Sequence, residues 1–305
     1  MKNRRITGIQ LGIWIITATI GPIIFVSDGN WFCVLLWGMG ISFLVWSAMR
    51  FGRHWDGVIY NLIQCLWLSV LLAQLLPYSA ECWPTGERTF PVVPLVLLAL
   101  ASVSALKGCK CTAGGIGVLF WIIVFLLGII IFAGLPRLSG KYLIPSIGTI
   151  KAPMLLTFLL PAAAGFLPRE KTGKLPFIIV VALNAGAAIW ISGILSPEIA
   201  DAMPWPFYDA AKSVYLLDVA KRLESLVSVA VTVGNYAMHS LLLCAVKSIG
   251  DKFQRGREAV VSATVISAAL MLLDAVIDPG ILVIVSAILW IFLPLLGILK
   301  RKDNE

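Results

Sequence analysis

Arg222, Ser225, Ser228, Thr232, Asn235 and His239 recur at intervals of three and four. That spacing sets hydroxyl, amide and imidazole groups along one face of a single helix. Such a line can hydrogen-bond a small polar molecule, or hold a cation through hydroxyl and carbonyl oxygens. A sparser stripe of the same type runs through Tyr60, Gln64, Trp67, Gln74 and Tyr78. Two other stretches bring chemistry through the backbone. In "ITATIGPIIFV", Gly21 and Pro22 stand side by side behind the hydroxyls of Thr17 and Thr19, and "MLLTFLLPAAAGFLP" carries Pro161 and Gly165. Proline removes a donor and clashes with the preceding turn while glycine loosens the chain, so both stretches predict interrupted helices. The N–H and C=O groups left over at an interruption carry partial charges that match a carboxylate, an ammonium or a cation.

Patterns for covalent or hydrolytic chemistry do not occur. There is no HExxH, GxSxG or Walker A stretch, and His54 and His239 are the only histidines. The chain therefore reads as a non-enzyme with no cofactor. Cys109 and Cys111 in "CKC" have no two further ligands nearby for a metal, and a disulfide is disfavoured in a cytoplasmic turn. The glycines of "CTAGGIG", Gly114, Gly115 and Gly117, open an apolar run instead of following a strand, so close helix packing is expected of them, not phosphate binding. No Asp or Glu falls in the middle of an apolar run, which disfavours a carboxylate-based proton pump. The polar face that carries His239 is expected to turn toward the bundle interior or a hydrated path; for His239 itself, close to the cytoplasmic end of its helix, facing water is the alternative to a part in proton coupling.

The elements that must position these groups are membrane helices. The 305 residues are 59% hydrophobic and 13% charged, with a mean hydropathy of +0.94, against about a quarter charged in a soluble domain. Runs of the spanning length of about 17 to 25 residues fall at 7–26, 31–49, 57–77, 91–106, 112–134, 152–168, 176–195, 214–246, 260–277 and 280–299. Ten crossings follow, the fourth and sixth short and the eighth long. The initial "MKNRR" and its apolar run read as the first span, since no soluble domain follows for a signal peptide to release.

A net charge of +8 could suggest a nucleic acid, but the positions of the basic residues point to topology. With the N-terminus inside, 17 of the 24 Lys and Arg fall on the cytoplasmic side, in clusters such as Arg50 and Arg53, Arg169 to Lys174 and Lys247 to Arg257. This follows the positive-inside rule with both termini cytoplasmic.

The outer loop at 135 to 151 divides one integral membrane domain, residues 1–305, into two groups of five spans, 7–134 and 152–299. An odd number per group inserts the second upside down. Inverted repeats of this kind bind substrate near the midplane, where the corresponding helix of each half is discontinuous. The interruptions at Gly21–Pro22 and Pro161–Gly165 fall in equivalent spans, the first of each half. The expected fold is thus an all-α polytopic membrane protein of about ten helices, a 5+5 inverted repeat of the LeuT/APC type with broken first and sixth helices.

"PFYDAAKSVYLLDVAKRLESLVSVAVTVGNYAMHSLLL", residues 206 to 243, resembles the B-subunit family of spore germination receptors (GerAB type), within the amino acid, polyamine and organocation transporter superfamily. The similar features are a Pro-hydrophobic-aromatic start, a short amphipathic stretch, and "AKRLESL" in place of an Arg-hydrophobic-acidic pattern leading into a long membrane helix. "DGNWFCVLLWGMGISFLVWSAMRFG", "LKGCK" and "LIPSIGTIKAPML" are similar to their counterparts, so the resemblance covers nearly the whole chain. The chain departs from the family in being shorter and in a sixth span, "LLPAAAGFLP", without the acidic residue expected of the family there. The resemblance implies a multi-pass subunit of the cell or inner spore membrane that senses a small germinant, typically an amino acid. It also implies a larger membrane subunit and a lipoprotein subunit as partners.

On that reading the ligand lies between the first, third, sixth and eighth spans. Gly21, Pro22, Pro161 and Gly165 form the breaks, Thr17 and Thr19 supply hydroxyls, Tyr60, Gln64 and Trp67 form one wall and Ser228, Thr232 and Asn235 the other. An ion- or proton-coupled amino-acid transporter shares most of these features. A structural subunit that only anchors partners is the third reading.

Overall fold

The computed structural model describes residues 5–25, 30–51, 57–81, 91–145, 150–170, 172–203, 205–214 and 223–296. Arg222 and the rest of the segment 215–222, through which the family resemblance runs, lie outside them. The described residues form an all-α polytopic membrane protein. Six helices are long and apolar enough to cross a bilayer, and Gly8–Ile23, Val92–Lys107 and Ala152–Phe166 are shorter apolar helices. The fourth and sixth runs are thus short, as their sequence predicts.

Helix α1 (Gly8–Ile20) starts on a capping box, in which the Gln10 amide donates to Thr7 Oγ1 at 3.2 Å and the Thr7 amide to Gln10 Oε1 at 3.3 Å. It runs without a gap into the 3₁₀ turns Gly21–Phe25. Helices α2 (Trp31–Phe51), α3 (Val58–Leu75), the short α4 (Tyr78–Glu81) and α5 (Val92–Lys107) follow. Gly108 at φ 119° turns the chain within one residue into α6 (Cys109–Gly134). That conformation suits glycine alone among common residues. The Lys247 ammonium closes the end of α5 by donating to the carbonyls of Ala105 and Leu106 at 2.9 and 3.0 Å.

The second part begins with α7 (Ala152–Leu159), which passes directly into the 3₁₀ segment Leu160–Phe166. After α8 (Leu175–Leu195), α9 (Pro197–Ala202) and α10 (Pro206–Ser213) comes α11 (Leu223–Asp251), then α12 (Gly256–Leu272) and α13 (Pro279–Ala287). Asp278 caps α13, accepting from the Gly280 amide at 2.7 Å, and Pro279 occupies its first turn. The ninth run ends at Leu272, short of the expected 277, because residues 273 to 278 form the link to α13. Gln74 holds that link, donating to the Ala275 carbonyl and accepting from the Ile277 amide.

Helix α11 is the axis of the bundle. Its apolar window is 78% buried, against 28% for α6, and it packs on α1, α3, α5, α6 and α12. Polar groups on α11 therefore lie inside protein, where membrane proteins keep such groups. The N-terminal segment is tied to the end of the sixth run: the Ile6 amide donates to the Pro168 carbonyl and the Glu170 amide to the Ile6 carbonyl, each at 3.0 Å.

Candidate functional site

The expected breaks in the first and sixth runs are changes of winding. Pro22 and Pro161 have no N–H to close an α-turn on Ala18 and Thr157, and α-geometry stops at Ile20 and Leu159. The chain does not unwind there; it tightens into 3₁₀ turns. Both 3₁₀ segments pack against α11, and Pro161 is buried.

The closest approach is between Gly21 and Gly234. A Cβ on Gly21 would stand 2.5 Å from the Asn235 amide nitrogen, and one on Gly234 would stand 2.8 Å from the Gly21 Cα. Only two glycines allow backbones this near. One turn further along, the Trp14 indole of α1 donates to the Ala237 carbonyl of α11 at 2.9 Å, in the core. The glycine crossing and the indole bond fix α1 against α11.

Along this contact Ser228, Asn235 and His239 are buried, while Thr232 is half-buried and Ser225 is exposed. The Asn235 Nδ2, both ring nitrogens of His239 and the Ser240 Oγ are buried and make no hydrogen bond among the described residues. His239 faces the interior, as expected of the polar face it belongs to, and not water. It is fully buried on the central helix, with the Leu75 carbonyl beside the ring but out of hydrogen-bond geometry. Thr17 and Thr19 are buried, and their hydroxyls donate to the carbonyls of Ile13 at 2.7 Å and Ile16 at 2.8 Å. The Thr232 hydroxyl likewise donates to the Ser228 carbonyl at 2.7 Å. These hydroxyls keep acceptor lone pairs toward a neighbour.

The α3 stripe hydrogen-bonds to the last helix. Tyr60 OH and Gln64 Nε2 donate to the Leu289 carbonyl at 3.3 and 3.4 Å, Gln64 Oε1 accepts from the Trp290 indole at 3.0 Å, and the Trp67 indole donates to Ser286 Oγ at 3.1 Å. All three residues thus brace the last helix. The Leu289 carbonyl is available because Ile288–Phe292 is a π-turn: the Leu293 amide reaches back to Ile288, and Pro294 has no N–H to offer. No protein-family model matches the chain, and no curated protein matches it.

The structure thus brings together Gly21, Pro22 and the α11 line, and gathers Tyr60, Gln64 and Trp67 into a second cluster around Leu289. Trp14, Ser240 and Ser286 belong to these clusters and were not picked out from sequence. For Ser240 and Trp14 no signal stood out in an apolar run; for Ser286, Pro294 eight residues on marks the helix that meets α3. Gly114, Gly115 and Gly117 do not serve close packing: a Cβ at any of them would meet nothing within 4 Å. Chemically, the amide, imidazole and hydroxyl of Asn235, His239 and Ser240 offer both donors and acceptors inside the bundle.

Proposed function

We propose that this chain is the membrane subunit of a spore germinant receptor, sensing a small germinant of the amino-acid class within a transporter-like bundle. The observation that carries the reading is the set of buried, unpaired polar groups on α11, Asn235 Nδ2 and the His239 ring, beside the Gly21–Gly234 crossing. An unsatisfied buried polar group costs about 1–3 kcal/mol, so a ligand that pairs with these groups recovers that cost in the state it occupies. Ser228 and Thr232 on α11, Thr17 and Thr19 with the Gly21–Pro22 backbone, and the 3₁₀ turn at Pro161 and Gly165 complete its surroundings. Tyr60, Gln64 and Trp67 support it indirectly by fixing the last helix.

The resemblance at residues 206 to 243 supplies the germination role and the partners, a larger membrane subunit and a lipoprotein. The two groups of five spans form the inverted repeat, and the ligand acts by favouring one packing of the first and sixth helices on α11. Thermal unfolding of the protein in nanodiscs, titrated with individual amino acids, tests the reading. A ligand at a hundred times its Kd adds about 2.7 kcal/mol. Asn235→Ala removes that gain, and Pro161→Leu removes the response to ligand while leaving the protein inserted. If no amino acid raises the midpoint, sensing is excluded and the anchoring subunit is what remains.

A coupled amino-acid transporter is the second reading, favoured by the two 3₁₀ segments that both lie on α11. Concentrative uptake into proteoliposomes holding this chain alone would establish it in place of a sensor.

A further inference from the structure

Where α2 ends and α8 begins, Trp46, Met49, Arg50, Arg169, Thr172 and Phe177 line a cavity of about 60 Å³. Arg169 is anchored there: its Nε donates to the Ala164 carbonyl at 3.0 Å and its Nη2 to the Met49 carbonyl at 3.1 Å. One guanidinium thereby closes the ends of the sixth-run 3₁₀ segment and of α2, both sites of negative partial charge. Burial pushes the Arg169 pKa down from its ordinary value. The Lys174 ammonium stands over the Trp46 ring, 4.8 Å from its centroid. Two further donors make no hydrogen bond among the described residues: the Trp46 indole N–H, and the hydroxyl of Thr172, a residue only 7% exposed. Among the described residues no carboxylate lines the cavity.

A groove of about 360 Å³ continues from this cavity between α2 and α8, sharing Trp46 and Phe177 with it and carrying Lys174 at its mouth. Apart from Ser42 its other walls are apolar, with Leu35, Met39, Phe43, Ile178 and Val181 along it. From Trp46 to Leu35 the helical rise is about 16 Å, close to half of a hydrocarbon core of about 30 Å. The groove is therefore one leaflet deep.

We propose that this is a binding site for an anionic glycerophospholipid, its phosphate among Arg50, Arg169, Lys174, Thr172 and the Trp46 indole, and one acyl chain along the α2–α8 groove. Three cations and two unpaired donors match a phosphodiester, and basic pockets between membrane helices are a recognised form of headgroup site. The apolar continuation selects a lipid over a soluble phosphate, because only a lipid fills both volumes. The bound lipid joins α2, α8 and the end of the sixth-run segment at the basic end of the bundle.

Native mass spectrometry and thermal unfolding of the full chain in phosphatidylcholine nanodiscs, with and without phosphatidylglycerol, test the site. The wild type should retain phosphatidylglycerol selectively and unfold at a higher temperature with it, and soluble glycerol phosphate should not substitute. The exposed pair Arg50→Gln and Lys174→Gln should weaken retention about thirtyfold, as expected for two interfacial charges. Ala182→Phe fills the groove without altering charge and should also release the lipid. Equal retention of both lipids, full substitution by glycerol phosphate, or wild-type retention by either variant would overturn the proposal.

Discussion

Gly234 and Gly21 set the distance between the first helix and the central one, and single atoms decide it. Gly234→Ala puts a methyl group 2.8 Å from the Gly21 Cα, against backbone that has no rotamer by which to withdraw. Overpacking of this kind costs about 1–3 kcal/mol. The expected outcome is a lower midpoint in denaturant-induced unfolding, while Gly117→Ala, where a Cβ meets nothing within 4 Å, leaves it unchanged. Equal effects at both positions would mean that α1 and α11 do not meet as described. The sequence marks Gly21 through its neighbour Pro22 but gives Gly234 no comparable flag, because a glycine at a helix crossing differs from one facing lipid only by what lies opposite.

Three prolines act on whole elements. Pro22 and Pro161 convert the ends of two helices from α to 3₁₀ winding, and Pro294 accompanies the π-turn that presents the Leu289 carbonyl to Tyr60 and Gln64. Pro294→Ala restores the missing amide, so the helix can return to regular winding and take back its carbonyls. Tyr60→Phe should then cost about 1 kcal/mol in the native background and almost nothing in the Pro294→Ala background. A double-mutant cycle measures this coupling, and strictly additive effects would show that the carbonyl is presented without help from the proline. The interruptions at Pro22 and Pro161 were legible because proline always removes a donor. Their form was not, since the packing on α11 decides whether a chain lacking one bond unwinds or tightens.

For the molecule as a whole, the asymmetry of basic residues predicts the orientation of the bundle. Arg50, Arg169, Lys174, Lys247 and Lys252 fall on the side that the sequence predicts to be cytoplasmic, and Lys141 in a predicted outer loop. A membrane-impermeant thiol reagent applied to intact cells should label Lys141→Cys and spare Lys252→Cys, with native Cys82, which the same topology puts in an outer loop, and the exposed Cys111 replaced in both. The reverse labelling would invert the topology, and with it the leaflet that supplies the proposed lipid.

Composition alone determined that this chain lives in a bilayer as a set of helices, because hydrocarbon offers no partner for backbone N–H and C=O groups and each segment must satisfy its own. Periodicity determined which polar residues share a face: Ser228, Asn235 and His239 do lie together, buried on one helix. Tertiary structure alone decided what each face meets. The α3 stripe turned to the last helix, and the glycines of α6 to no neighbour at all among the described residues. The reason is that the spacing along a helix fixes angles about its own axis, whereas a partner is chosen by the shape and hydrogen-bonding needs of a surface brought in from far along the chain.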